Sequence, residues 1–295
     1  MKIRFWMIVC CCCLWTAPLT GTANSNAELI EPFPSGQINW TKGVVTAKGA
    51  AAPQTNTREA AENGEPVSDR AIQQATHNVI DTLMRLRVDN QRCASNLFQT
   101  NREALPKVEE MARAAKILHI DKDPSGREEI YMQMSLYGGF AQLMLPVEIR
   151  QVEPIKPLNG QSNRHDFQNT GIDASDAVIE QDAYTGLIVD ARGTGAKPSM
   201  VPVLLNEKGQ VVFGPAYVSR EFAVQHGICQ YIRLMGDEWP KWPRVAPKPL
   251  LVKGLRTDRP GSCNIVISNS DASTLRGASS HVAFLKQCRV VIVLD

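Results

Sequence analysis

The sequence predicts an α+β chain of two small sheet-and-helix domains behind an export signal. Three observations predict it. Residues 36–148 read as strand, helix, helix, strand, strand, the order of a small sheet with helices on one face. Residues 183–295 hold several short apolar runs and close on Val290-Val291-Ile292-Val293-Leu294, apolar at every position as a strand buried on both faces requires. Between them, residues 149–182 carry Pro154, Pro157, Asn159-Gly160 and a polar run through Asp182, the composition of a linker.

In the first domain, Gly36 to Gly49 reads as one strand, bent at Gly43, after a polar leader over 24–35. Trp40 is expected to pack under the helices. Residues 50–66 read as an exposed loop. Ser68 is the expected N-cap of a long helix, and Ile72, Ala75, Val79, Leu83 and Leu86 recur at spacings of three and four to form its apolar stripe. His77 lies off the stripe and reads as solvated. Residues 87–100 read as irregular. A second helix follows Asn101, with Pro106 in its first turn, where a missing N–H costs nothing. Ile117 to Ile120 is a strand, residues 121–126 a turn, and Ile130, Met132, Met134 and Leu136 alternate on the return strand. His119, Asp121 and Asp123 have metal-ligand chemistry, but turn composition accounts for the aspartates and no second ligand cluster accompanies them, so no metal is expected.

In the second domain, Leu187-Ile188-Val189 reads as a buried strand ending in a polar turn at Asp190 and Arg192-Gly193. Val203 to Leu205 and Val211 to Phe213 read as a hairpin through Asn206-Glu207-Lys208-Gly209, and the three runs together as a three-stranded nucleus. Ser219 to His226 forms a short helix stopped by Gly227. Cys229 to Leu234, Leu250 to Val252 and Asn264 to Ser268 are further strands, and Ser270 or Asp271 caps a last helix ending near Leu285. Residues 239–249 hold four prolines, which exclude helix and central strand. Trp239 and Trp242 in that loop either dock a partner or fold back onto the domain.

Residues 1–23 read as a secretory signal: Lys2 and Arg4, an apolar run from Phe5 to Trp15, and Gly21-Thr22-Ala23 as the cleavage site. The run is shorter than the ~20 residues of a spanning helix, and no transmembrane helix is expected in the mature chain. Removing the signal leaves 30 basic and 30 acidic residues, a neutral balance that argues against a nucleic-acid binder. Cys10 to Cys13 lie inside the signal. Lipidation there would anchor the protein to a membrane, but Val9 or another cysteine precedes each candidate where a small residue is wanted, and cleavage after Ala23 is the expected outcome. The location expected is the periplasm or the outer membrane. Of the four mature cysteines, Cys263 and Cys288 are the preferred disulfide pair, with buried free thiols as the alternative.

The sequence holds no Gly-x-Ser-x-Gly elbow, no His-Glu-x-x-His and no phosphate-binding glycine loop before a lysine. Asp190 with Arg192, at the carboxyl end of a strand, is the most suggestive site, because α/β folds place ligands there. The plainer expectation is that the two satisfy turn backbone or pair with each other. No enzyme activity and no cofactor are expected.

Gly36, Asn39-Trp40, Gly43, Ala47 and Gly49, followed by the alanine-rich helix ending Leu83…Leu86-Arg87-Val88-Asp89, resemble the LPP-twenty family of bacterial envelope lipoproteins, which includes the flagellar proteins FlgP and the N-terminal domain of FlgT. The resemblance covers about residues 36–148. Tyr184-Thr-Gly-Leu-Ile-Val-Asp-Ala-Arg-Gly193 and Phe284-Leu285…Arg289–Val293 look like the longer secreted relatives of that family. The resemblance implies a non-enzymatic part or assembly factor of the cell envelope, with other envelope proteins or itself as partner. The alternative is a periplasmic module that binds a small ligand or glycan through Asp190, Arg192, Trp239 and Trp242.

Overall fold

The structure is a computed structural model that describes residues 28–53, 66–149, 184–234, 242–277 and 279–295. The expected signal peptide over 1–23 and, apart from Ile149, the expected linker over 149–182 lie outside the described residues. The fold is α+β, with two sheets.

The first sheet is antiparallel, in the order β1-β2-β3-β5-β4. β2 (Gly36–Asn39) and β3 (Val44–Ala51) are a hairpin rather than one bent strand. Gly43, at φ +64°, closes the turn, and a Cβ there would lie 2.2 Å from the Tyr137 ring. The leader contributes β1 (Ile30–Phe33), a short edge strand whose exposed alternate residues give it no apolar run to be read by. β4 (Lys116–Lys122) and β5 (Glu128–Ser135) complete the sheet. The alternation of β5 is as expected: Glu128, Ile130, Met132 and Met134 are buried while the residues between them are half-exposed.

Helix α1 (Val67–Met84) lies on that buried face. Its Ala71, Ala75, Val79 and Leu83 are buried, and Ile72 packs at the margin. Residue 49 sits where β3 meets α1: a Cβ on Gly49 would lie 2.1 Å from the Ala71 carbonyl oxygen and 2.3 Å from the Ala75 nitrogen. Only glycine lets the strand lie so close to the helix. Ser68 is not the N-cap: Pro66 holds that position, and the Ser68 hydroxyl donates to Glu128 Oε2 at 2.5 Å. Cys93 opens a short helix, α2 (Ala94–Thr100), within the stretch expected to be irregular. α3 (Ala104–Arg113) carries Pro106 in its first turn, and α4 (Gly139–Met144) follows β5.

The second sheet has seven strands in the order β8-β7-β11-β10-β6-β12-β9. β6 (Gly186–Asp190) runs parallel to β10 (Pro249–Thr257) and β12 (Val290–Leu294), and β12 runs parallel to β9 (Gln230–Arg233). β7 (Leu204–Leu205) and β8 (Val211–Phe213) are the expected hairpin. The expected three-stranded nucleus is not formed, however, because β10 and β11 (Ile265–Ile267) stand between β6 and β7. α5 (Arg220–His226) ends at Gly227, φ +74°, as read from the sequence. The last helix is two, α6 (Asn269–Arg276) and α7 (Ser279–Lys286), and the cap is Ser268, whose Oγ accepts from the Asp271 N–H at 3.0 Å. β6 and β12 are buried at every residue. One face joins the main core. The other is a separate cluster of Ile188, Ile232, Val245, Val291 and Val293 with Leu234 and Trp242 packed against it.

The two halves share the main core. Trp40 meets Tyr231 edge to face at 5.8 Å, so it packs against the second half and not only under its own helices. Just after α1, the carbonyls of Arg87 and Val88 accept from the N–H groups of Met200 (3.1 Å) and Val201 (2.8 Å). Arg220 donates to the carbonyls of Pro146 and Gln142, each at 2.9 Å.

Candidate functional site

Parallel strands β6, β10 and β12 point their carboxyl ends the same way, and Asp190 and Lys253 are register partners at that end. Asp190 is 7% exposed. Arg192 donates from Nε to its Oδ1 at 2.8 Å and from a terminal nitrogen to Oδ2 at 3.1 Å, a bidentate pair. Lys253 Nζ reaches Oδ2 at 3.0 Å. The Arg192 hydrogen bonds and Lys253 outweigh burial and hold the Asp190 carboxyl down at about 2. Gly193 N–H donates to the Asp295 carboxylate at 3.0 Å, which ties the turn to the end of the chain. Both oxygens of Asp190 are thus engaged, by Arg192 of the following turn and by Lys253 of the neighbouring strand. The sequence brings Asp190 and Arg192 together as expected, and what they build is a braced turn.

Trp239 lies outside the described residues. Trp242 is half-buried over the second face of β12 and β9 and serves as covering for that face. Of the four residues expected to bind together, Asp190 and Arg192 pair with each other, Trp242 covers a sheet face, and Trp239 is not among the described residues. Cys263 and Cys288 are not bridged: both are free and buried, as is Cys229, while Cys93 is half-exposed. Burial pushes the Cys229 and Cys288 thiols up to about 12. The Cys263 thiol is raised for the same reason. Asp123 does what its turn demands, accepting from the N–H groups of Ser125 and Arg127.

Two features were not read from the sequence. The first is β4. It is the edge of the first sheet and all seven of its residues are exposed, Ile117 at 40%, Leu118 at 42% and Ile120 at 52%. The register slips between Ile117 and His119, so Leu118 has no partner on β5. Ile117 lies opposite Met132 and Ile120 opposite Ile130, which puts both on the helix-bearing face. The run Ile117 to Ile120 was visible as a strand, but its place at an edge depends on the order of the sheet.

The second is a cleft of about 770 Å³ between the halves. Lys42 and Tyr137 wall it from one side and His226, Gln230, Arg244 and Arg289 from the other. Arg244 falls in the proline-rich loop and Arg289 just before β12, and nothing local shows that the two come together. Among the described residues, no group of three or more His, Cys, Asp or Glu side chains is placed to hold a metal. No helix among them is long and apolar enough to cross a membrane.

Comparison with known proteins bears on the second half alone. The family described as Treponema pallidum Tp0624, second domain, matches residues 186–295, from the first residue of β6 to the end of the chain. No curated protein matches the chain.

Proposed function

We propose that this is a non-enzymatic protein of the bacterial cell envelope, exported to the periplasm or held at the outer membrane, that works by protein–protein contact. The observation that carries the reading is β4, an edge strand with three large apolar side chains in water. An unpaired strand edge is a template for another strand, and chains that have no use for it cover, charge or shorten it. Here charged side chains stand only toward the two ends, at Lys116, Asp121 and Lys122, and between them Ile117, Leu118 and Ile120 flank His119, which stacks on Tyr131 at 4.0 Å. Strand addition would pair the main chain and cover Ile117 and Ile120 at the same time. The partner is another envelope protein or a second copy. The resemblance of residues 36–148 to the LPP-twenty family supports an assembly role, and through its flagellar members a place around the flagellar motor.

The double variant Ile117→Lys, Ile120→Lys tests it. Both side chains are already exposed, so thermal unfolding is expected to move little. On native gels of gently extracted cells, the wild-type chain is expected in a complex larger than itself and the variant as free protein. A wild-type chain that runs as a monomer, or a variant that stays in the complex, counts against the reading.

A further inference from the structure

Among the described residues, the arginines of the cleft between the two sheets have no carboxylate beside them. None of the described lining residues is acidic. Lys42 is already paired, with Glu28 at 2.6 Å. The arginines are not. Arg244 donates from Nε to the Cys288 carbonyl (2.8 Å) and from its terminal nitrogens to those of His226 (2.8 Å) and Gly227 (2.6 Å). These carbonyls lie at the ends of α5 and α7, and their partial negative charge offsets part of the guanidinium's. Arg289 donates from Nε to the Arg244 carbonyl (3.2 Å) and from a terminal nitrogen to that of Ala246 (2.6 Å). A guanidinium has about five N–H donors, so roughly two on Arg244 and three on Arg289 stay unspent. Neither arginine makes an ion pair among the described residues, and the carbonyl ties fix both planes before any ligand arrives.

Tyr137 stands beside them. Its ring fits only because residues 43 and 227 are glycines: a Cβ at Gly227 would lie 2.9 Å from it. Its hydroxyl bonds to none of the described residues, while burial raises its pKa and the charge of Arg244 pulls it back. Phe222 adds a second ring to the wall. The volume and the position at a junction of two sheets are those of small-molecule sites. The cleft adjoins the amino ends of β9 and β12, away from the turn at Asp190.

We propose that this cleft binds a small organic anion, with its carboxylate or phosphate on Arg289 and Arg244 and its body against Tyr137 and Phe222. The proposal is independent of the contact role assigned to β4. Saturation-transfer NMR on the full mature chain, with inorganic phosphate, glucuronate and glucose as probes at a constant ionic strength set by sodium chloride, tests it. Glucuronate is expected to give a saturable signal and glucose none. Displacement of glucuronate by phosphate would assign the site to oxyanions in general, and failure to displace it would assign it to carboxylates. Phosphate alone, read by its thermal shift, would assign it to phosphates. Arg289→Gln is expected to weaken binding at least tenfold and Arg289→Lys to recover part of the loss. If Arg289→Gln does not fold, Tyr137→Phe, which leaves the arginine ties intact, is expected to weaken binding about threefold. Binding of neither anion, a response to glucose equal to that of glucuronate, or unchanged affinity in the folded variant overturns the proposal.

Discussion

β5 of the first sheet and β12 of the second each lie one strand in from a sheet edge, yet they are buried in different ways. β5 alternates, because helices cover one face of its sheet. β12 is buried at all five residues, because the main core lies on one face and Val245, Leu234 and Trp242 close the other. A one-faced sheet has margins that its helices do not reach, and β4 is such a margin. The second sheet hides β6 and β12 on both faces, while its strand β10 still turns Leu251 and Leu255 to solvent.

The comparison is broken most severely by a charge in β12. Val291→Asp buries a carboxylate against Ile188 and Ile232, and is expected to cost more than about 4 kcal/mol or to prevent folding. Gln133→Lys, on the uncovered face of β5, is expected to stay within about 0.5 kcal/mol. Urea unfolding of both measures the contrast, and equal costs would mean that the second face of β12 is not sealed. Gly49→Ala comes next, since its Cβ would meet the α1 backbone, which has no flexible end to move aside. About 3 kcal/mol is expected in the same measurement.

Asp190→Asn follows, at about 2 kcal/mol, because it leaves Arg192 and Lys253 braced against a neutral group. The sign of the pH effect follows from the depressed carboxyl. Its contribution is complete above the ordinary carboxylate value of 3.8 and is lost as pH falls toward about 2. Acid unfolding of the wild type is therefore expected to show a loss in that window that Asp190→Asn lacks. The smallest effect concerns the thiols. Among the four described cysteines, Cys93 is expected to be alkylated in the native protein while Cys229, Cys263 and Cys288 stay protected until unfolding. Peptide mass mapping without reductant reads this, and a Cys263–Cys288 bridged peptide would contradict the free thiols.

Much of this architecture was legible because it is local. The stripe from Ala75 to Leu83, the alternation from Ile130 to Met134, the stop at Gly227 and the all-apolar β12 are written in consecutive residues. The order of strands is not. Val203 to Phe213 sits near β6 in sequence, but β10 and β11, some fifty residues later, take the places between them. β1 went unread because Glu31 and Pro32 mask an edge strand that needs only main-chain pairing with β2. Asp190 and Arg192 were legible as a pair two residues apart, while the brace from Lys253 had to come from the fold. The cleft was invisible for a similar reason: Arg244 and Arg289 are defined by carbonyls that chain reversal brings to them.

The central claim, that the uncovered margin of the first sheet is where this protein meets its partner, is tested most directly by photo-crosslinking in living cells. A photoreactive residue would replace Ile120 in one variant and Leu251, an exposed position on β10 of the second sheet, in another. A discrete higher-mass adduct from position 120 and none from position 251 is the predicted result. Adducts from 251 alone, or from neither position, would contradict it.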